Sequence, residues 1–235
     1  MIKACIFDLD GTLIDSLDSI HYFVNTETAK HGISPVPRET FRYFVGDGAK
    51  ILIQRVLAYH NINDKELEQK IIRDYNAAYD SNYMYLCTVY EGIHELIAEL
   101  KKKNIRLSVL SNKPHPTTEK IVTAFFGEGT FSPLFGQREG VPIKPNPQAI
   151  YEILDILQVK NEECLYIVHI TELLNQGFST SRTVRPECYR FLFYRTEDND
   201  RCGAVFAVAL NLRKQKSDCI FGIGCKMFKL AVNQF

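Results

Sequence analysis

The sequence predicts an α/β fold, a doubly wound parallel sheet interrupted early by an inserted all-helical cap. Three observations point to it. Short apolar runs at residues 2–7, 105–112 and 163–168 each end in polar or buried-strand residues and read as parallel strands. Stripes of apolar residues at helical spacing separate the later runs. Between residues 16 and 85 the spacing is helical throughout and no strand pattern intervenes.

The elements follow in order. The run 2–7 leads straight into Asp8 and Asp10 and is the first strand. From Ser16 the period changes: Leu17, Ile20, Phe23 and Val24 share one helical face, and Gly32 suits the stop. Pro37 with Phe41, Phe44 and Val45 predicts a second, short helix. Ile51, Leu52 and Val56 predict a third. Asn63 with Glu66 resembles a capping box opening a fourth, whose face carries Leu67, Ile71, Tyr75 and Ala78. Ile93, Leu96, Ile97 and Leu100 then form a stripe closed by Lys101 to Lys103, which suit a helix C-terminus. The strand 105–112 follows, then a helix around Ile121, Val122 and Phe125. Asn146 and Pro147 read as cap and first residue of a helix over 150–157. The run 163–168 is another strand. The implied organisation is an α/β core from 1–15 and 86–168, a helical cap at 16–85, and an atypical segment at 169–235.

Composition narrows the function classes. The chain has 235 residues, enough for one core with an insertion. Apolar residues make up 46% and charged residues 24%, an ordinary globular balance. The formal net charge of zero argues against a nucleic acid or an anionic membrane held by bulk charge. No apolar run approaches the ~20 residues that span a bilayer. The chain opens on a strand-like segment with no signal-peptide pattern, so a cytoplasmic location is expected. Seven cysteines lack paired spacing, which favours reduced thiols packed as small apolar groups over a zinc site or a disulfide framework.

In sheets of this kind ligands bind beyond the carboxyl ends of the strands, and three polar groups fall there. The first is Asp8 with Asp10, in "KACIFDLDGTLIDS", residues 3–16. Two carboxylates so close repel each other, and a following glycine turn leaves little room for a simple capping role. Asp15 and Ser16, by contrast, are adequately explained as turn or cap residues. The second group is Ser111, Asn112 and Lys113, which alone could be a plain strand exit. The third is Lys144 in "IKPNP", which alone could be a solvated surface charge. Together they suggest phosphoryl transfer. One carboxylate attacks phosphorus and a second serves as acid and base, while a hydroxyl and an ammonium hold the phosphoryl oxygens. A divalent cation with hard oxygen ligands, magnesium above all, would relieve the repulsion between nucleophile and phosphate.

These residues resemble a known family. "FDLDGTLIDS" is similar to the first signature of the haloacid dehalogenase superfamily, "LSNK" at 110–113 to its second and "IKPNP" to its third. "FVGDGAKILIQRVL", at 44–57, and "GQREGVPIKPNPQAI", at 136–150, resemble phosphoglycolate phosphatase-type members. The resemblance implies Asp8 as nucleophile and Asp10 as general acid/base. It further implies Ser111 and Lys144 as phosphate holders with Asn112 beside them, and Mg2+ held by Asp8 and Asp10. The expected substrate is a small phosphorylated metabolite, with no nucleic-acid or membrane partner.

The resemblance ends near residue 168. The family continues with a glycine, an aspartate and a further acidic residue that complete the metal site. This chain reads "LYIVHITELLNQG", with Val168 and His169 at those positions and Glu172 out of register. The segment 169–235 holds four of the seven cysteines, Cys188, Cys202, Cys219 and Cys225, and ten Lys plus Arg against six Asp plus Glu. Within it "CYRFLFY" and "AVFAVALNL" have strand character. A reading-frame shift near codon 168 accounts for so abrupt a change. Two functions follow as expectations: a phosphomonoester hydrolase, or a relative that binds phosphate or a partner without efficient turnover. A phosphomutase would use the same residues.

Overall fold

The computed structural model describes residues 1–169 together with two strand segments, Arg190–Phe191 and Val205–Ala209. Its main sheet is built on β1 (Ala4–Phe7). All four residues of β1 are buried, and its alternation divides them between two apolar clusters. Cys5 and Phe7 join a large cluster with Leu107, Val109 and Ile121. Ala4 and Ile6 join a second with Ile150, Ile153 and Leu154. A strand covered on both faces belongs at the centre of a parallel sheet, as the unbroken apolar run predicts.

β1 pairs in parallel with β4 (Arg106–Pro114) on one side and β6 (Cys164–His169) on the other. β5 (Leu134–Gln137) extends the parallel run beyond β4. Past β6 the direction reverses: β8 (Val205–Ala209) pairs antiparallel with β6, and β7 (Arg190–Phe191) with β8. The order is β5-β4-β1-β6-β8-β7, so the described sheet is parallel through β6 and mixed beyond it. The other expectations for 169–235, Glu172 and the four cysteines among them, lie outside the described residues.

Helix α5 (Ile93–Lys102) and α6 (His115–Phe126) pack on the first cluster and α7 (Gln148–Leu157) on the second. The buried face of α5 is the predicted stripe, Ile93, Leu96, Ile97 and Leu100; α7, predicted over 150–157, buries Ile150, Ile153, Leu154 and Leu157. The helix opens at Gln148, one residue later than expected, so Pro147 rather than Asn146 holds the cap position of α7; Asn146, one residue earlier, accepts from Gln148 N–H at 3.0 Å.

Helices α1 (Leu17–Ala29), α2 (Arg38–Phe41), α3 (Gly48–Tyr59) and α4 (Lys65–Ser81) fill the stretch between two short strands, β2 (Ile14–Asp15) and β3 (Thr88–Val89). These strands pair antiparallel, so the chain leaves and re-enters the sheet at one place. Gly32, at φ +71°, ends the first helix in the left-handed turn that favours glycine. The cap of α4 is Asp64 rather than Asn63. Its carboxylate accepts from the Glu66 and Leu67 N–H groups, both at 3.0 Å. Both residues are good caps; α4 buries Ile71 and Tyr75 as predicted, together with Tyr79, while Leu67 and Ala78 are half-buried. Among the described residues no helix is long and apolar enough to cross a membrane.

Candidate active site

The predicted polar groups meet where β1 and β4 end. Asp8 follows the last residue of β1, and its N–H still donates to Ile167 O across the sheet at 2.9 Å. The chain then turns tightly. Leu13 and Ile14 N–H both bond back to Leu9 O, and Gly11 adopts φ +79°, a conformation open to glycine at little cost. That turn keeps Asp8 and Asp10 on neighbouring sides of one small space.

Each carboxylate faces an ammonium. Lys144 Nζ lies 2.6 Å from Asp8 Oδ1, with both side chains almost wholly buried. Thr12 Oγ1 donates to Asp8 Oδ2 at 3.3 Å. Asp10 Oδ1 accepts from Lys113 Nζ at 2.9 Å and from Ser16 Oγ at 2.6 Å. Ser16 therefore does not act as the helix cap or turn residue its position suggests; its hydroxyl is turned to Asp10 instead, and no side-chain bond caps α1. The backbone N–H of Lys113 donates to Ser111 Oγ at 3.1 Å, which fixes the Ser111 hydroxyl at the end of β4. Burial, the largest single influence, pulls the Lys113 ammonium toward neutrality, but the Asp10 carboxylate together with Tyr75 and Cys87 raises the pKa above its ordinary value.

Asn112 is placed differently from its neighbours. Its Oδ1 accepts from Lys144 N–H at 2.9 Å, and its Nδ2 donates to Lys144 O at 3.3 Å and to Gly46 O at 2.9 Å. One carboxamide thus ties the lysine loop and the loop before α3 to the end of β4. Gly48 fits that approach: a Cβ there would stand 3.1 Å from Asn112 O, at φ +81°. Arg55 holds the same loop from behind, through Phe44 O at 2.8 Å and Asp47 at 2.5 Å.

Two carboxylates with hard oxygens suit magnesium in kind, but the donor set is short in number. Among the described residues no group of three His, Cys, Asp or Glu side chains could hold an ion. Val168, where the resemblance calls for the glycine ahead of the metal-site aspartate, packs into the apolar cluster with Leu110 and Ile150.

The haloacid dehalogenase-like hydrolase model matches residues 5–168. The chain belongs to that family. The haloacid dehalogenase-like match stops where the sequence pattern stops. Relatives include the phosphoglycolate phosphatase of Colwellia psychrerythraea, 31% identical over 169 residues that cover 70% of this chain and 75% of the relative. That of Pasteurella multocida is 29% identical over 167 residues, covering 68% and 74%. Among solved structures, a predicted phosphoglycolate phosphatase from Haemophilus somnus superposes with a TM-score of 0.66 at 25% identity, covering 70% of this chain and 76% of that one. One from Lactobacillus delbrueckii has the same fold, with a TM-score of 0.67 at 24% identity and coverage of 74% and 83%.

The structure thus joins Asp8 directly to Lys144 and Asp10 to Lys113, while the Ser111 hydroxyl accepts from the backbone N–H of Lys113. Sequence reasoning names Lys113 in the second polar group without giving it a role, takes Ser16 for a cap or turn residue, and leaves Thr12 unassigned. A buried lysine is rare unless paired, but nothing in the local pattern marks Lys113 as buried. Thr12 and Ser16 were within the quoted motif and could have been found as hydroxyls one turn from the carboxylates.

Proposed function

We propose that this chain is a phosphomonoester hydrolase acting through an aspartyl-phosphate on Asp8. The observation that carries the reading is the buried Asp8–Lys144 contact at a strand end, with Asp10 two residues on. A carboxylate so placed is aimed by two donors, and the ammonium beside it suits a phosphoryl oxygen. In the first half-reaction an Asp8 oxygen bonds to phosphorus while the ester oxygen leaves with a proton from Asp10. Lys144 and the Ser111 hydroxyl hold the phosphoryl oxygens. In the second half-reaction Asp10 takes a proton from water, and the resulting attack releases phosphate and frees Asp8. Asn112 serves by holding Lys144 in place.

The helices of 16–85 form a cap over a core of 1–15 and 86–168, and the cap reaches the site through the loop at Gly46 and through Tyr79 of α4. The relatives' names support phosphoglycolate, or a similarly small phosphorylated metabolite, as substrate. Magnesium is the cation such chemistry uses, with Asp8 and Asp10 as its carboxylates. The described residues supply no third acidic ligand, which favours weak magnesium binding. The test is hydrolysis of p-nitrophenyl phosphate and phosphoglycolate by the full chain across a magnesium series. Turnover abolished by Asp8→Asn supports the reading; turnover that survives this change contradicts it.

A further inference from the structure

Lys113 is the best-buried cation at the site with no part in the reaction described above. Its side chain is 7% exposed and lies against Asp10, which is 24% exposed. The ammonium is gripped from the other side by α4. Tyr79 OH lies 3.1 Å from Nζ, and the ring centroid of the same tyrosine lies 4.3 Å away. Tyr79 is itself fixed, packed edge-on against Phe23 at 5.3 Å and tilted against Tyr75 at 5.7 Å. A lysine normally keeps its head in water. Here the head is held between the Asp10 carboxylate, in the turn after β1, and a phenol of the helical segment.

We propose that Lys113, held by Tyr79, is a positioning residue that sets the orientation of the Asp10 carboxylate for proton transfer to the leaving group. The inference rests on the phosphatase reading. Both Lys113 and Ser16 bind the same oxygen, Oδ1. Two donors on one oxygen fix the carboxyl plane and direct Oδ2 to the proton transfer. As the Asp8–phosphorus bond forms and the phosphorus–ester oxygen bond breaks, the proton passes from Asp10 to the ester oxygen. The alcohol departs, and Asp10 remains as a carboxylate beside the Lys113 ammonium. Tyr79 lies on α4, 34 residues from Lys113, so the helical segment reaches the acid/base group through one side chain.

The consequence is a dependence on leaving group. An alkoxide needs a proton as it leaves, whereas p-nitrophenolate scarcely does. General acid catalysis is worth about 10²- to 10⁴-fold, so mis-setting Asp10 removes part of that from alkyl esters and little from the aryl ester. The measure is kcat/KM, which reports steps up to release of the alcohol and excludes the later water attack. Lys113→Met is expected to lower kcat/KM for phosphoglycolate about tenfold more than for p-nitrophenyl phosphate, and Tyr79→Phe to do the same to a smaller degree. Equal losses on the two esters overturn the proposal, because a merely structural ion pair does not sense the leaving group. If Lys113→Met does not fold, Tyr79→Phe, which keeps the ring, carries the test. Crystal structures of the variants give a readout that needs no turnover. The Asp10 carboxylate should turn away from its present orientation, and an unchanged carboxylate in both variants overturns the proposal. Turnover that survives Asp8→Asn would instead defeat the phosphatase reading, so the two failures are distinguishable.

Discussion

Replacing Lys144 by methionine removes the ammonium 2.6 Å from Asp8 and keeps most of the side-chain volume. At that distance two unit charges attract by about 6 kcal/mol for an effective dielectric constant of about 20. Desolvation of both ions consumes most of this, so the intact pair adds little net stability. Breaking it is another matter. It leaves a carboxylate that is 2% exposed without its principal counter-charge, and removing one partner of such a pair costs about 3–5 kcal/mol. Asp8→Asn strands Lys144 in the same way. The double variant has no buried charge left to strand, so it should be more stable than the sum of the single losses predicts, by about 1–3 kcal/mol. Urea unfolding of the four proteins measures this, with equal m-values as the condition for comparing them. Lys102→Met is the control. Its bond to Glu99 is mostly exposed on both sides, and its loss should cost less than about 1 kcal/mol. Additive losses at Asp8 and Lys144 would refute the claim that the two charges sustain each other.

Other outcomes follow from the same contacts. Asn112→Ala leaves Lys144 N–H and Gly46 O without their carboxamide partner; it should cost about 1–3 kcal/mol in urea unfolding and lower turnover through Lys144. Gly136→Ala would place a Cβ 2.6 Å from Lys113 O, His115 Cα and Thr118 Oγ1. Two of these are backbone atoms, so a loss of about 1–3 kcal/mol is expected in thermal melts. Stability should also fall at both ends of the pH scale. Hydrogen bonds from Lys120 to Asp80 and from Lys65 and Gln54 to Glu68 hold those carboxyls below their ordinary values of 3.8 and 4.5. Their contribution is complete above those values and is lost as pH falls through the lower folded ones. Burial raises Tyr75 and Tyr79 above their ordinary 10.0, and Asp10 raises Lys113 above its ordinary 10.5 against the pull of burial. That contribution is complete below about pH 10 and declines as pH rises toward the folded values. Urea midpoints across pH check both limits; a midpoint flat from pH 3 to 11 would contradict them.

The parts of the fold that are legible in the sequence are those whose signal is local. β1 reads as a buried strand because all four residues are apolar and both faces are covered. The stripes of α5 and α7 are legible because one face of each packs on the sheet. β5 is not legible: "LFGQ" is four residues long, mostly half-buried, and carries a glycine chosen for close backbone approach rather than for strand propensity. The same contrast runs through the site. Asp8 and Asp10 stand in one contiguous motif, and Lys144 gains its meaning from that company. Lys113 depends on Asp10, 103 residues away, and on Tyr79, which only folding brings near. Asn112 could be placed at the site by its strand, but not its engagement with two backbones. Asn63 and Asp64 are adjacent and both cap-competent, so the local sequence does not distinguish them, and the structure gives the cap bonds to Asp64.

The central claim is that Asp8 becomes covalently phosphorylated. The most direct measurement is mass spectrometry of the full chain, acid-quenched after mixing with a small phosphomonoester and magnesium and digested by a protease active in acid. The account predicts one added phosphoryl group on the peptide that carries Asp8, absent from Asp8→Asn and persisting longer in Asp10→Asn, where water is not activated. A phosphoryl group on any other residue, or hydrolysis with no labelled Asp8 in Asp10→Asn, would contradict it.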